Sequence, residues 1–349
     1  MAHQHFINFM SKKIWITIAC IIFGLSKFSY SDKLSNLESC KLGFCPNKPD
    51  AVALHFALVA DIKVNESAII NIISNRTADD IEAISVVYES RYGETLLNDL
   101  RDHLTGKFEE LVVALLSRST DFFAQELHHA LRGSRDDENV LIDILLTQNC
   151  NKLQEIKRSY AIHYLTSLEE DIEKYTTGNF RYLLHELLRT RRCKNTEIDY
   201  SAADADARKL YHAVTAQYEI ANVHEFVNVT TSTSYSQLHQ TFISYYSLFG
   251  ENIETTIVTN YRGDFARALL AIVEFAKSKD RFIAKRLYES FNDNIDHRSL
   301  IRLMIISKDI GNNYVREAVQ QRNHVALEYF ISQKTYGSYQ QLLLALLFA

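Results

Sequence analysis

Apolar and polar positions alternate along this chain with the period of a helix rather than a strand. Runs such as Ala68-Ile69-Ile70-Asn71-Ile72-Ile73 and Leu300-Ile301-Arg302-Leu303-Met304-Ile305-Ile306 place their apolar side chains about every three to four residues. Breaks of one to several polar residues divide these runs into short helices, some five in every 70 residues or so. Phe226 to Ser234 is β-branched enough to resemble a strand, but its place in a repeating pattern predicts a helix there too.

The repeat itself is the strongest signal. A glycine, any residue, an aromatic and then a leucine-rich amphipathic run occurs at Gly106-Lys107-Phe108, Gly178-Asn179-Phe180, Gly263-Asp264-Phe265 and Gly337-Ser338-Tyr339, at spacings of 72, 85 and 74 residues. A second marker begins at Leu54, Leu127, Leu210 and Leu287, spaced by 73, 83 and 77. Both series place their longest gap between the second and third units, so a linker is expected there, in the polar stretch from Arg191 to Asp206. The recurring aromatics Phe108, Phe180, Phe265 and Tyr339 keep register with leucines and are expected in the core.

Composition agrees with an all-α protein. The 349 residues are 47% hydrophobic and 23% charged, which excludes disorder as the main state. Only two prolines occur, Pro46 and Pro49, so about 300 residues run on without one.

The N-terminus changes the expected compartment. Lys12 and Lys13 precede an apolar run from Ile14 to Leu25, followed by Ser29-Tyr30-Ser31, which is the pattern of a signal peptide cleaved near Ser31. Residues 1–31 are therefore read as signal and 32–50 as an N-terminal head. Loss of Lys12, Lys13 and Lys27 takes the formal net charge from −5 to −8. An acidic body is a poor ligand for nucleic acid, and it meets an acidic lipid surface only through a bridging cation such as calcium. Of five cysteines, Cys20 leaves with the signal. Cys40 and Cys45 form the local candidate disulfide, whereas Cys150 and Cys193 fit either a second disulfide or free buried thiols. Glycosylation sequons begin at Asn65, Asn75 and Asn228.

Four helical units of about 70 residues with a long second-to-third linker resemble the annexin family. The resemblance covers roughly residues 50–349. It is carried by Asn75-Arg76-Thr77, by Tyr92-Gly93-Glu94-Thr95-Leu96, by Leu104-Thr105-Gly106-Lys107-Phe108-Glu109-Glu110-Leu111, and by Glu126-Leu127-His128-His129-Ala130-Leu131-Arg132-Gly133. It implies four annexin repeats at 51–118, 119–193, 207–277 and 278–349, a linker at 194–206, and a curved disc that binds acidic phospholipid through calcium. A signal peptide is atypical of that family, but the combination is similar to secreted annexin-like proteins of plant-parasitic nematodes.

The calcium loop that the resemblance implies reads Lys/Arg-Gly-x-Gly-Thr, with an Asp or Glu about 40 residues later. Glycines let backbone carbonyls converge on a hard cation, and the distant carboxylate closes the site. In the first repeat Ala60-Asp61-Ile62-Lys63-Val64 lacks glycine and His103 stands at the acid position. The second keeps Arg132-Gly133-Ser134 but continues with Arg135 and Asp136, and Tyr175 replaces the acid. The third keeps nothing recognisable around Glu219-Ile220-Ala221-Asn222, with Asn260 at the acid position. The fourth has Asn292-Asp293-Asn294-Ile295-Asp296 and Lys334, with Asn292 and Asn294 suited to left-handed backbone. The best residual calcium candidate is the set of backbone carbonyls of Leu131, Gly133 and Arg135 with Asp136, Asp137 or Glu138. An ordinary solvated loop, with Asp136 to Glu138 capping the next helix, is favoured over it.

Other chemistry is thinner. His185-Glu186 and His224-Glu225 lack the second histidine of a zinc-protease helix, since Arg189 and Asn228 stand four residues on. His128-His129 is expected to pack rather than bind metal. No phosphate-cradling glycine loop and no Gly-x-Ser-x-Gly elbow occurs. The expectation is a non-enzymatic, secreted protein on acidic phospholipid; a calcium-independent interaction module directed at a host protein is the alternative.

Overall fold

The computed structural model describes residues 47–59, 63–133, 137–189, 192, 197–215, 222–292 and 294–348. The signal-like segment, the head with Cys40 and Cys45, and Arg135 and Asp136 of the calcium candidate lie outside the described residues. The described residues form twenty helices and no strand.

The helices fall into four successive groups of five. The first comprises α1 (Lys48–Leu58), α2 (Glu66–Ser74), α3 (Ala78–Tyr92), α4 (Leu96–His103) and α5 (Gly106–Leu116). The second comprises α6 (Ser119–Arg132), α7 (Glu138–Thr147), α8 (Cys150–Tyr164), α9 (Leu168–Tyr175) and α10 (Gly178–Leu188). The third comprises α11 (Tyr200–Thr215), α12 (Val223–Ser232), α13 (Tyr235–Phe249), α14 (Ile253–Asn260) and α15 (Gly263–Lys277). The fourth comprises α16 (Lys279–Ser290), α17 (His297–Ile310), α18 (Asn312–Asn323), α19 (Leu327–Lys334) and α20 (Gly337–Leu346). By compactness the chain divides after Leu116, leaving α1–α5 as one unit and α6–α20 as another.

The glycine of the sequence repeat has a backbone cause. Gly106, Gly178, Gly263 and Gly337 open the fifth helix of each group at φ of +68, +60, +64 and +65°. A Cβ at any of them would meet nothing within 4 Å, so the left-handed backbone and not crowding selects glycine. The aromatic two residues later is buried in every copy, as expected.

In the first unit, Leu54, Ile69, Ile84, Tyr88, Leu100 and Leu111 are fully buried, one or more from each helix. A capping box at Thr77 and Asp80 starts α3, with both reciprocal bonds formed. Ser167 and Glu170 do the same for α9 in the second unit.

Two stretches depart from simple reading. Residues 223–232 are helical, and the β-branched Thr230 and Thr231 are accommodated by donating their hydroxyls to the carbonyls of Phe226 (2.9 Å) and Val227 (2.8 Å). The expected linker is shorter than its polarity suggests, because α11 already begins at Tyr200. Asp204 faces solvent while Ala203, Ala207 and Leu210 form a fully buried stripe, so small apolar residues carry a helix face in a segment whose charge reads as loop.

The second unit also buries an ion network absent from the sequence expectations. Arg302 on α17 is fully buried and donates to Glu126 of α6 at 2.9 Å, to Asp143 of α7 at 3.4 Å and to the hydroxyl of Ser299 at 2.9 Å. Arg286 of α16 grips the same Asp143 with two bonds of 2.8 and 3.1 Å, and Arg298 reaches Glu126 at 2.7 Å. Burial works against the charge of Arg286, but Asp143 and Glu289 more than compensate, holding its pKa above the ordinary value.

Candidate calcium loops

A calcium site of the expected kind needs two parts brought together: the turn between the first and second helices of a group, and the end of the fourth helix. The acid position falls on the last residue of the fourth helix in every group, at His103, Tyr175, Asn260 and Lys334.

In the second group, α6 runs to Arg132 and is closed by Gly133, whose N–H donates to the His129 carbonyl at 2.8 Å. Gly133 has φ −70° and ψ 164°, an ordinary extended conformation. The expected use of glycine, to turn a carbonyl inward through a positive φ, is therefore not made there. Leu131 is buried in the last turn of α6. Asp137 stands at the N-cap of α7 without accepting a capping bond, and Glu138 is turned to Arg267 of α15 at 3.6 Å.

The closing side is cationic. The Arg132 guanidinium makes two bonds to Asp171 of α9, at 3.2 and 3.3 Å, and lies 5.4 Å from the centre of the Tyr175 ring. Lys174 lies 5.1 Å from the same ring. Asp171 also accepts the Tyr160 hydroxyl at 2.5 Å. Burial alone would raise the Asp171 carboxyl, but the bonds from Tyr160 and Arg132 bring it below the usual carboxylate range, while burial and the same bond push the Tyr160 phenol up. Asp171 is thus a charged group already saturated by protein donors.

The other groups use the helix end in a comparable way. The His103 ring donates Nδ1–H to the Asp99 carbonyl at 2.7 Å, and Asn260 donates to the Thr256 carbonyl at 2.9 Å. Arg262 bonds the carbonyls of Val258, Thr259 (3.2 Å) and Tyr261 (2.7 Å). In the fourth group Gln340 takes the Ser332 carbonyl at 3.0 Å, and Lys334 is exposed. Outside glycine, only Leu165 and His324 among the described residues have positive φ; Asn292 is not one of them, so its expected left-handed role is not taken up. No group of three or more His, Cys, Asp or Glu side chains is placed to hold a metal among the described residues. The described residues do not fit a complete calcium site, because calcium requires six or more oxygens and these helix ends present amides, an imidazole, a phenol ring and cations instead.

The histidines of the sequence analysis have separate local partners. His128 stacks on Tyr164 with ring centres 3.6 Å apart, and burial together with Arg132 lowers its pKa. His55 stacks on Tyr92 at 3.7 Å in the first group, and Tyr211 on Phe249 at 3.9 Å in the third, so the residue that follows Leu54, Leu127 and Leu210 of the second sequence marker carries a ring that stacks on the third helix of its group. His185 meets Glu173 at 3.2 Å and His224 packs edge-on to Tyr182 at 4.4 Å. Cys150 is disulfide-bonded, so of the two readings left open for it the disulfide holds; every other cysteine of the chain lies outside the described residues. No described helix is long and apolar enough to cross a membrane.

The annexin family model matches residues 50–115 and 122–187. Human annexin A13 is 33% identical over 284 residues, covering 81% of this chain and 90% of that protein. Mouse annexin A1 is 33% identical over 298 residues, covering 85% and 86%. Among solved structures, annexin III superimposes with a TM-score of 0.83 at 29% identity, over 87% of this chain and 94% of that one. Four groups of five helices, each with a left-handed glycine opening its last helix, together with relatives of this identity and coverage, place the chain in the annexin family.

Proposed function

We propose that this annexin is secreted and associates with acidic phospholipid surfaces, using calcium through degenerate loops that hold the ion weakly. Membership of the family supports the phospholipid and calcium reading. The single observation that carries the weak-calcium part is the replacement of every closing carboxylate by His103, Tyr175, Asn260 or Lys334, at the last residue of the fourth helix. An acidic formal charge, −5 for the whole chain and −8 once Lys12, Lys13 and Lys27 are lost, calls for a bridging cation at an acidic surface unless protein cations substitute for it. Secretion is supported by the Lys12-Lys13 and Ile14–Leu25 pattern and by the disulfide at Cys150, since disulfides persist in oxidising compartments.

A second reading has its own observation. The cations Arg132 and Lys174 around Tyr175, and the exposed Lys334, occupy positions where calcium would need negative charge. They favour a helical module that kept the scaffold without the ion and binds a host protein. The test is cosedimentation of the full chain, recovered from the medium of secreting cells, with phosphatidylserine vesicles across a calcium series. Binding that appears only at high calcium and reverses with chelator supports the first reading. Binding indifferent to calcium, or none, supports the second, and retention inside the cells sinks the secretion claim.

A further inference from the structure

Away from the loops, the second unit contains a cavity of about 280 Å³ between α7, α15 and α16, where three of the helix groups meet. Ligand pockets begin at roughly this size, so a compound of no more than a few rings sets the scale of what fits. Ile142 and Phe282 form a buried apolar floor, and Leu270 is a half-exposed apolar wall. The rim carries three cations, Arg267, Lys285 and Arg286.

Those cations differ in what they have left to donate. Arg286 is committed to Asp143 and Glu289. Lys285 places its ammonium 2.6 and 2.9 Å from the two oxygens of Glu274, which leaves a third N–H, and its side chain is 30% exposed. Arg267 uses only Nη2, shared between Asp264 and Glu138, and its side chain is 55% exposed. Glu274 and Glu289, the carboxylates of the rim, already face Lys285 and Arg286. The unspent capacity is therefore mainly N–H donors, above an apolar floor.

We propose that this cavity is a binding site for a small organic anion with an apolar ring: the ring against Ile142, Leu270 and Phe282, the anionic group between Lys285 and Arg267. A purely apolar ligand would leave the rim donors unanswered, and an inorganic anion would leave the floor uncovered. A cation would meet a rim whose two carboxylates, Glu274 and Glu289, are already answered by Lys285 and Arg286. None of the cavity's lining residues is itself a calcium-loop candidate, although Arg267 also faces Glu138 at 3.6 Å.

The test is fluorescence titration of the full chain with 1-anilinonaphthalene-8-sulfonate, beside its uncharged counterpart N-phenyl-1-naphthylamine. Saturable one-site binding of the sulfonate is expected, with the amine at least about ten-fold weaker, a difference of about 1.4 kcal/mol. Lys285→Glu and Leu270→Glu are each expected to weaken the sulfonate at least about ten-fold, on the same scale, while Lys277→Glu on the exposed side of α15 leaves it unchanged. Helix content by circular dichroism confirms that the variants are folded. Absence of saturable binding, equal affinity for the uncharged probe, or binding indifferent to both cavity variants overturns the proposal.

Discussion

Arg132 donates to Asp171 across 39 residues of sequence, at 3.2 and 3.3 Å, and this pair ties the end of α6 to α9 beside the loop where calcium would bind. Asp171 is 2% exposed and also holds the Tyr160 hydroxyl, so it is a structural anchor rather than a spare ligand. Its folded-state pKa lies below the unfolded one; its contribution to stability is therefore present at neutral pH and lost as acid protonates it. Asp171→Asn is expected to cost about 2 kcal/mol at pH 7, since the buried Tyr160 hydroxyl loses a charged acceptor, whereas the exposed Arg132 guanidinium regains water. The variant should narrow its deficit below about pH 4, where the unfolded carboxylate begins to take up protons. Urea unfolding midpoints of both proteins between neutral and acid pH measure this; a deficit independent of pH excludes the assignment.

Arg302 sets a second test. Its side chain is buried with Glu126 and Asp143, and its Nε finds no partner among the described residues. Arg302→Ala leaves two buried carboxylates short of a cation and is expected to destabilise by about 3–5 kcal/mol. Arg302→Met with Glu126→Gln, which removes charge from both sides, should recover part of that loss. The measurement is guanidinium unfolding of each variant, and a double variant as unstable as the single one refutes the charge-pairing account.

The network shows where sequence was informative and where it was not. Arg302 interrupts Leu300-Ile301-Leu303-Met304, and Asp143 interrupts Leu141-Ile142-Ile144-Leu145, so each buried charge is visible as a polar residue inside an apolar run. That they answer one another across 159 residues is a tertiary fact which no local period contains. The helix groups were legible because Gly106, Gly178, Gly263 and Gly337 satisfy a backbone demand that only glycine meets cheaply. Tyr200 to Asp206 was misread because alanines carry its buried face and weigh little against the charges beside them. The loss of closing carboxylates at Tyr175 and Lys334 was plain in sequence, whereas the turning of Glu138 to Arg267 depends on α15.

Leu165 offers a stabilising prediction. It ends α8 with φ +56° and is 92% exposed, at the turn where α3 and α13 end in Gly93 and Gly250 at φ +82 and +70°. A left-handed leucine costs roughly 1–2 kcal/mol, and an exposed side chain returns little through packing. Leu165→Gly is expected to raise stability by about 0.5–1 kcal/mol, the remainder being lost to the freer unfolded chain. Gly263→Ala, at φ +64° with open space around the added methyl, should lower it by about 1 kcal/mol. Thermal unfolding of the pair decides the matter: equal shifts in the same direction contradict it.

If the loops hold calcium as weakly as proposed, a carboxylate at the helix end should restore binding, because that helix end is otherwise formed. Tyr175 terminates α9 and faces Arg132, whose charge is already answered by Asp171. Tyr175→Glu restores a hard oxygen ligand where a phenol ring now stands, and it removes the surface on which Arg132 and Lys174 rest. Lys334→Glu does the same for the fourth group and also replaces a repelling charge. If the weak step is closure by the distant carboxylate, each substitution lowers the calcium needed for half-maximal cosedimentation with phosphatidylserine vesicles, by roughly ten-fold for about 1.4 kcal/mol of added ligation. The two together should add, since they belong to separate loops. If the turn between the first two helices is itself unable to present carbonyls, the calcium requirement stays where it was despite the new carboxylates, and the loops rather than the helix ends are then the seat of the loss.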